Sequence, residues 1–337
     1  MDNKLIRVGV IGCGSIGNQH IDRLLNKNSL TTVTLVCDYY VEAAKKTAER
    51  FGLRYVESVD ELINSPEVDA VVITSSDESH AEYTLKCIKA GKYVFCEKPL
   101  SQTAKEAELM IQEELKQNRR LVQVGFMRRY DKGYMELKKA IEVGEIGEPL
   151  IINAAHRNIS QAAGFETDYA ITRVAIHEID ICRWLLNDEY DKVQVLKVKQ
   201  SRRTEGNWLN PQIMILTTKS GQYINLEAQT DHCYGYDIQC EVVGEDGTLK
   251  LADPSATVKR IGGKCSFGIL DDWSKRFIDA YDVELEQWAL DIKQGKLTGP
   301  STWDGYVSCV TADALIKSRK TGTFEKVETI EKPELYK

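Results

Sequence analysis

The sequence predicts an α/β protein in two parts: a doubly wound parallel sheet, then an α+β domain with an open, largely antiparallel sheet. Three observations predict this. Short apolar runs alternate with amphipathic stretches of helical period over roughly the first 125 residues, which is the pattern of a parallel sheet covered on both faces. A glycine-rich turn joins the first run to the first helical stretch. Beyond residue 150, strand-like runs follow one another with little helix between them.

Taken in order, Ile6–Ile11 reads as a strand, Ser15–Asn26 as a helix, residues 33–38 as a strand and Val41–Phe51 as a helix. Residues 69–75, 92–96 and 121–125 continue the apolar theme, each after helical sequence. Further strands are expected at 150–155, 193–198, 212–217, Tyr223–Gln229, 237–243 and 248–251. Gly244-Glu-Asp-Gly247 and Lys219-Ser-Gly221 supply hairpin turn signals. Helices are expected at Ile176–Leu186 and 273–293. Gly299-Pro300-Ser301 then breaks the chain before a last helix at 303–318. The expected domains are 1–125 and 126–337, with the last helix packing back on the first.

The chain has 337 residues, enough for two cores. Its 44 Lys+Arg against 51 Asp+Glu give a net charge of −7 without basic blocks, so a nucleic-acid partner is not expected. The apolar runs are far shorter than the roughly 20 residues of a membrane span. The nine cysteines are odd in number, irregularly spaced and without C-x-x-C. That usage fits reduced packing residues in a cytoplasmic protein. The five histidines form no zinc-ligand spacing, so no metal is expected.

Gly12-Cys13-Gly14-Ser15-Ile16-Gly17 has the spacing G-x-G-x-x-G between the first strand and the first helix. Gly12 permits a tight turn, Gly14 a close backbone approach by a pyrophosphate, and Gly17 close helix–strand packing; Ser15 and Ile16 open the helix whose N-terminus favours the anion. Asp38 ends the second strand, where a carboxylate accepts from a ribose hydroxyl and repels a 2′-phosphate. Tyr39 and Tyr40 supply no compensating cation. The expectation is a Rossmann domain that binds NAD rather than NADP.

Glu97-Lys98-Pro99 sits at the C-terminal end of the strand 92–96, the edge that faces the ligand crevice in such sheets. A lysine there can stabilise charge developing on a substrate oxygen, and Pro99 fixes the backbone, with a cis bond as one form. The residues alone also fit a solvated lysine in an ordinary turn.

Together these segments resemble the Gfo/Idh/MocA oxidoreductases. The likeness continues through Gly125-Phe-Met-Arg-Arg-Tyr-Asp131, His156-Arg-Asn158, Ile176-His-Glu-Ile-Asp180, Arg183-Trp-Leu-Leu186 and Trp303-Asp-Gly-Tyr306. It covers nearly the whole chain and is greatest for the inositol dehydrogenase branch. The resemblance implies Lys98 and His177 as the catalytic pair, with His177 taking the hydroxyl proton. It places His156, Asn158 and Asp180 at the polyol, with Met127, Tyr236 and Tyr281 beside the same pocket. Ser75, His80 and Glu97 would border the cofactor. It further implies NAD dependence and a tetramer. Read without it, His177 suits proton transfer near neutral pH and suits equally a core histidine bonded to a backbone carbonyl. Asp180 reads equally as a salt-bridged carboxylate, with Arg183 as a candidate partner.

The chain departs from that branch at one place. The branch carries Asp-Thr before the apolar pair that precedes its histidine; here Arg173-Val174 stands there. The local charge changes by two, and a guanidinium disfavours an imidazolium nearby. Three roles fit Arg173: a contact to the substrate, a solvent-facing residue with Asp180 or water assisting His177, or a mark of lost catalysis. The leading expectation is oxidation of a ring secondary alcohol of a cyclic polyol. The alternatives are oxidation of a sugar or glycoside at its 3-position, with loop 159–166 as a second site of change, and an NAD-binding sensor or scaffold without turnover.

Overall fold

A computed structural model describes residues 4–204, 208–253 and 257–337. The chain forms two compact units. The first comprises residues to Phe126 with Tyr281–Cys309 and Thr329–Lys337; the second comprises Met127–Ala280 and Val310–Glu328.

In the first unit β1 (Ile6–Ile11), α1 (Ser15–Asn26), β2 (Thr31–Cys37), α2 (Val41–Phe51), β3 (Arg54–Tyr55), α3 (Val59–Asn64), β4 (Ala70–Ile73), α4 (Asp77–Lys89), β5 (Tyr93–Glu97), α5 (Ala104–Gln117) and β6 (Val122–Gly125) follow in order. The strands lie in the order β3-β2-β1-β4-β5-β6, and every pairing is parallel. The strand order reverses between β1 and β4, so a crevice opens there beyond the strands' C-terminal ends. All four residues of β4 are buried, as a strand covered on both faces requires. Val8, Val10, Ile21, Val36, Val72 and Phe95 share one apolar cluster with Leu285 and Trp288. Trp288 meets Phe95 edge-on at 5.9 Å. The late segment therefore belongs to this core, which the expected boundary near 125 did not include. Among the helix starts, α5 carries a full capping box, Thr103 with Glu106.

The second unit starts with a 3-10 turn, Met127–Tyr130, and then α6 (Lys132–Glu142), capped by Asp131, whose side chain accepts from the Gly133 and Tyr134 amides. β7 (Pro149–Arg157), a π-helical turn (Ala170–Ala175), α7 (Ile176–Leu186), β8 (Tyr190–Leu196), β9 (Gln212–Thr218), β10 (Tyr223–Gln229), β11 (Asp237–Gly244) and β12 (Thr248–Lys250) follow. A separate hairpin, β13 (Val258–Ile261) with β14 (Lys264–Phe267), comes next. The expected helix at 273–293 is instead α8 (Trp273–Arg276) and α9 (Ile278–Gln294), interrupted at Phe277. The last helix, α10 (Thr302–Thr321), belongs to the first unit through Cys309 and to the second from Val310. β15 (Glu325–Lys326) completes a seven-stranded sheet ordered β12-β11-β7-β10-β9-β8-β15. Its pairings are antiparallel except β7 with β10. Burial alternates along β9, as in a sheet with one covered face. In α7 every residue except Trp184 is buried. No described helix is long and apolar enough to cross a membrane.

Candidate active site

The glycine loop of the first unit has the form its spacing predicts. Gly12 takes φ +102°, and a Cβ there would meet the Thr74–Ser75 backbone at 2.4 Å. A Cβ on Gly17 would lie 2.0 Å from the Gly12 carbonyl oxygen, whereas one on Gly14 would meet nothing within 4 Å. Gly12 and Gly17 are thus needed by the fold, and the space over Gly14 is kept open. Helix α1 begins there without a side-chain cap and without an acidic residue in its first turn, so its N-terminal amides and dipole remain for an anion. These features fit a dinucleotide pyrophosphate, with Ser15 and Ile16 opening the helix beneath it.

Asp38 lies at the tip of β2. Its Oδ2 accepts from the Cys13 amide at 2.7 Å and its Oδ1 from the Tyr40 amide at 2.8 Å. The carboxylate thus braces the loop while keeping lone pairs for a ribose hydroxyl. Tyr39 and Tyr40 are exposed and bring no cation. Cys13 is buried inside the loop, and burial first, then Asp38, pushes its thiol up to about 12, so the thiol stays neutral near pH 7.

Ser75 follows β4, its hydroxyl 2.7 Å from that of Ser79. His80, on α4, is only 2% exposed, with its ring nitrogens facing the carbonyl oxygens of Pro99 (2.7 Å) and Ser75 (3.1 Å). The ring expected at the cofactor's border is thus engaged with the backbone. Glu97, at the end of β5, meets Nε2 of His20 at 2.8 Å and accepts from the Lys98 amide at 3.2 Å. Burial would raise the Glu97 carboxyl, but His20 and Lys98 outweigh it and hold it below the usual range. The Lys98–Pro99 peptide is cis. Tyr281 also belongs to this unit; its ring lies 5.6 Å from that of His20 and under Arg23.

In the second unit the first turn of α7 carries His177, which is 6% exposed. The His156 ring, from β7, lies 6.2 Å from it and 5.6 Å from Tyr236. Nδ1 of His156 is 3.0 Å from Glu178 Oε2 and 3.1 Å from Arg128 Nη2, and Arg128 pairs with Glu178. Burial pushes against the charge on Glu178, but Arg128 and then His156 overcome it and hold the carboxyl low. This buried triad fixes one face of the His156 ring. The sequence reading missed Glu178. Its signal was a carboxylate next to His177 in a helix whose residues are almost all buried.

Asp180 is gripped by Arg129, whose Nε donates to Oδ2 at 2.8 Å and whose Nη2 contacts Oδ1. Arg183, the partner considered from sequence, pairs with Glu189 at 2.7 Å. Met127 is buried at the start of its 3-10 turn. Asn158 extends β7, and its Oδ1 is buried without a hydrogen-bond partner among the described residues. Arg173 lies in the π-helical turn, with its guanidinium carbon 3.6 Å from the Tyr169 ring centroid.

Two family profiles match this chain. The NAD-binding Rossmann domain of the Gfo/Idh/MocA oxidoreductases matches residues 6–126, and the C-terminal α/β domain of the same oxidoreductases matches residues 138–329. The chain belongs to the Gfo/Idh/MocA oxidoreductase family. Its Rossmann domain binds NAD. Among relatives of this Gfo/Idh/MocA protein, an inositol 2-dehydrogenase of Klebsiella pneumoniae is 47% identical over 335 residues, covering 98% of this chain and 99% of the relative. An inositol 2-dehydrogenase/D-chiro-inositol 3-dehydrogenase of Shouchella clausii is 44% identical, covering 98% and 96%. The crystal structure of myo-inositol dehydrogenase from Lactobacillus casei in complex with NAD(H) and myo-inositol superposes with a TM-score of 0.96 at 35% identity, covering 99% of this chain and all of that one.

Proposed function

We propose that this oxidoreductase oxidises a ring secondary alcohol of a cyclic polyol of the inositol class. One observation carries this reading: the likeness to inositol dehydrogenases covers 98–99% of the chain, and so both units. Bound NAD supplies the hydride acceptor. Gly12, Gly14 and Gly17 shape its pyrophosphate seat and Asp38 its ribose contact. His177 takes the hydroxyl proton, a task that suits imidazole near neutral pH. The Lys98 ammonium stabilises the oxygen as charge develops on it. His156 and Asn158 hold the ring hydroxyls, with Met127 and Tyr236 bounding the pocket. The carboxylate of Asp180 orients Arg129. Tyr281 acts through the first unit, behind Glu97. The enzyme is assigned to the cytoplasm and to a homotetramer, the latter open to test by light scattering on the purified protein.

Arg173 favours a second reading, in which the physiological substrate is a sugar or glycoside oxidised at its 3-position. The guanidinium is held on Tyr169, whose ring meets Phe165 at 5.8 Å, and Phe165 meets Trp208 at 5.4 Å. Such an aromatic run suits a sugar face. Assaying NADH formation with myo-inositol, scyllo-inositol, D-chiro-inositol, glucose and alkyl glucosides separates the two. Turnover of an inositol at the highest kcat/KM supports the first reading. Preference for a glucoside supports the second, and NAD binding without any turnover overturns both.

A further inference from the structure

Lys98 is half-buried, while every other residue from Val94 to Ser101 is buried. A lysine that must present its ammonium to a reacting oxygen needs its backbone held, because a displacement of about 1 Å can lower a rate by about 10²-fold. The residues on either side of it are held by two histidines from different helices. Before it, Glu97 is met by Nε2 of His20 on α1 at 2.8 Å, and the two side chains are 9% and 0% exposed, respectively. Its other oxygen accepts from the Lys98 amide itself. The rings of Phe95 and Tyr281 make T-shaped contacts with the His20 ring, both at 5.6 Å, and its Nδ1 is buried without a hydrogen-bond partner among the described residues. A ring so enclosed cannot swing to another acceptor.

After it, Pro99 offers its carbonyl oxygen to His80 Nδ1, and Ser75 offers its own to Nε2. Carbonyl oxygens only accept, so both ring nitrogens must carry hydrogen, and that is the imidazolium. Burial opposes the charge, but Cys96 and the two carbonyls overcome it and bring the group up to about 9. One cation thus joins the end of β4, beside the cofactor loop, to the residue that follows Lys98.

We propose that His20 and His80 are positioning residues for Lys98, fixing it through Glu97 on one side and Pro99 on the other. The proposal rests on the catalytic reading of Lys98. It also assigns α1 a second task, since the helix that seats the pyrophosphate carries His20 and so ties cofactor and lysine to one rigid body.

Glutamine and asparagine test this because their amide nitrogens mimic Nε2 and Nδ1 of histidine, respectively. His20→Gln should keep kcat within about threefold, and His20→Asn, too short to reach Glu97, should lower it about tenfold or more. Neither amide can replace both nitrogens of His80, so His80→Gln and His80→Asn should each lower kcat about tenfold or more, with the NAD dissociation constant within about threefold throughout. Equal kcat in the two His20 variants would overturn the proposal. So would wild-type kcat in the His80 variants, loss of NAD affinity in step with kcat, or failure of both variants at either position to fold. Lys98→Met is assayed alongside. If it stays active, the reading of Lys98 itself falls. If it is inactive while the histidine variants keep full kcat, only the positioning role falls.

Discussion

The guanidinium carbon of Arg173 lies 3.6 Å from the centre of the Tyr169 ring, four residues earlier in the chain. A cation stacked on an aromatic face is stabilised by about 0.5–2 kcal/mol, depending on desolvation. Tyr169→Leu should therefore lower stability by about 1 kcal/mol in urea denaturation. Arg173→Asp should raise kcat/KM for myo-inositol if the arginine restricts substrate choice. Loss of activity on the best natural substrate would instead mark Arg173 as a contact to it.

The Arg128–Glu178–His156 triad predicts a large stability effect. Both members of the ion pair are 1% exposed. Removing one partner of such a pair strands a buried charge and costs about 3–5 kcal/mol. Glu178→Ala should show that loss in denaturant, and Glu178→Gln a smaller one.

The same carboxylate gives a pH dependence of known sign. Its folded pKa is held below its unfolded value, because Arg128 and His156 outweigh burial. The stability it contributes is present above about pH 4.3 and is lost as the pH falls through the folded pKa. Wild-type unfolding free energy should therefore decline with acid more steeply than that of Glu178→Gln. Parallel curves would contradict the assignment.

The glycine loop separates folding from binding. Gly17→Ala drives a Cβ into the Gly12 carbonyl, whereas a side chain at Gly14 enters open space. Gly14→Val should melt near the wild-type temperature yet lose NAD affinity by about tenfold or more. Gly17→Ala should lose stability as well. Titration calorimetry and thermal melting on both variants check this.

Asp38 predicts cofactor choice. Its charge and the absence of a neighbouring cation on Tyr39 or Tyr40 should make kcat/KM for NAD exceed that for NADP by about 10²-fold or more. Asp38→Ser combined with Tyr39→Arg should narrow that ratio. An unchanged ratio would remove Asp38 from the ribose site.

Much of the first unit was legible because its signals are local. Gly12, Gly14, Gly17, Asp38 and Lys98 lie at turns whose chemistry depends on near neighbours in sequence. What was not legible is long-range. The packing of Trp288 on Phe95 links residues far apart in the chain, so the recruitment of α9 from Tyr281 into the first unit left no local trace. The parallel pairing of β7 with β10 is likewise set by topology rather than by alternation within either strand. Phe277 breaks a helix that its flanking periodicity would continue. Asp180 read as a partner for Arg183 because the two are three residues apart; its pairing with Arg129, distant in sequence, left no local signal. His20 showed only as one of five histidines without zinc-ligand spacing, because its partner Glu97 is distant in sequence.

The most direct test is product analysis. Purified enzyme is incubated with NAD and myo-inositol, and both products are quantified by mass spectrometry and NADH absorbance. The expected result is a cyclic ketone lacking two hydrogens of the polyol, formed one for one with NADH by the wild-type enzyme and not by His177→Ala or Lys98→Met. A product that has lost water instead, ketone without matching NADH, or undiminished turnover in either variant would contradict oxidation of the ring alcohol by these residues.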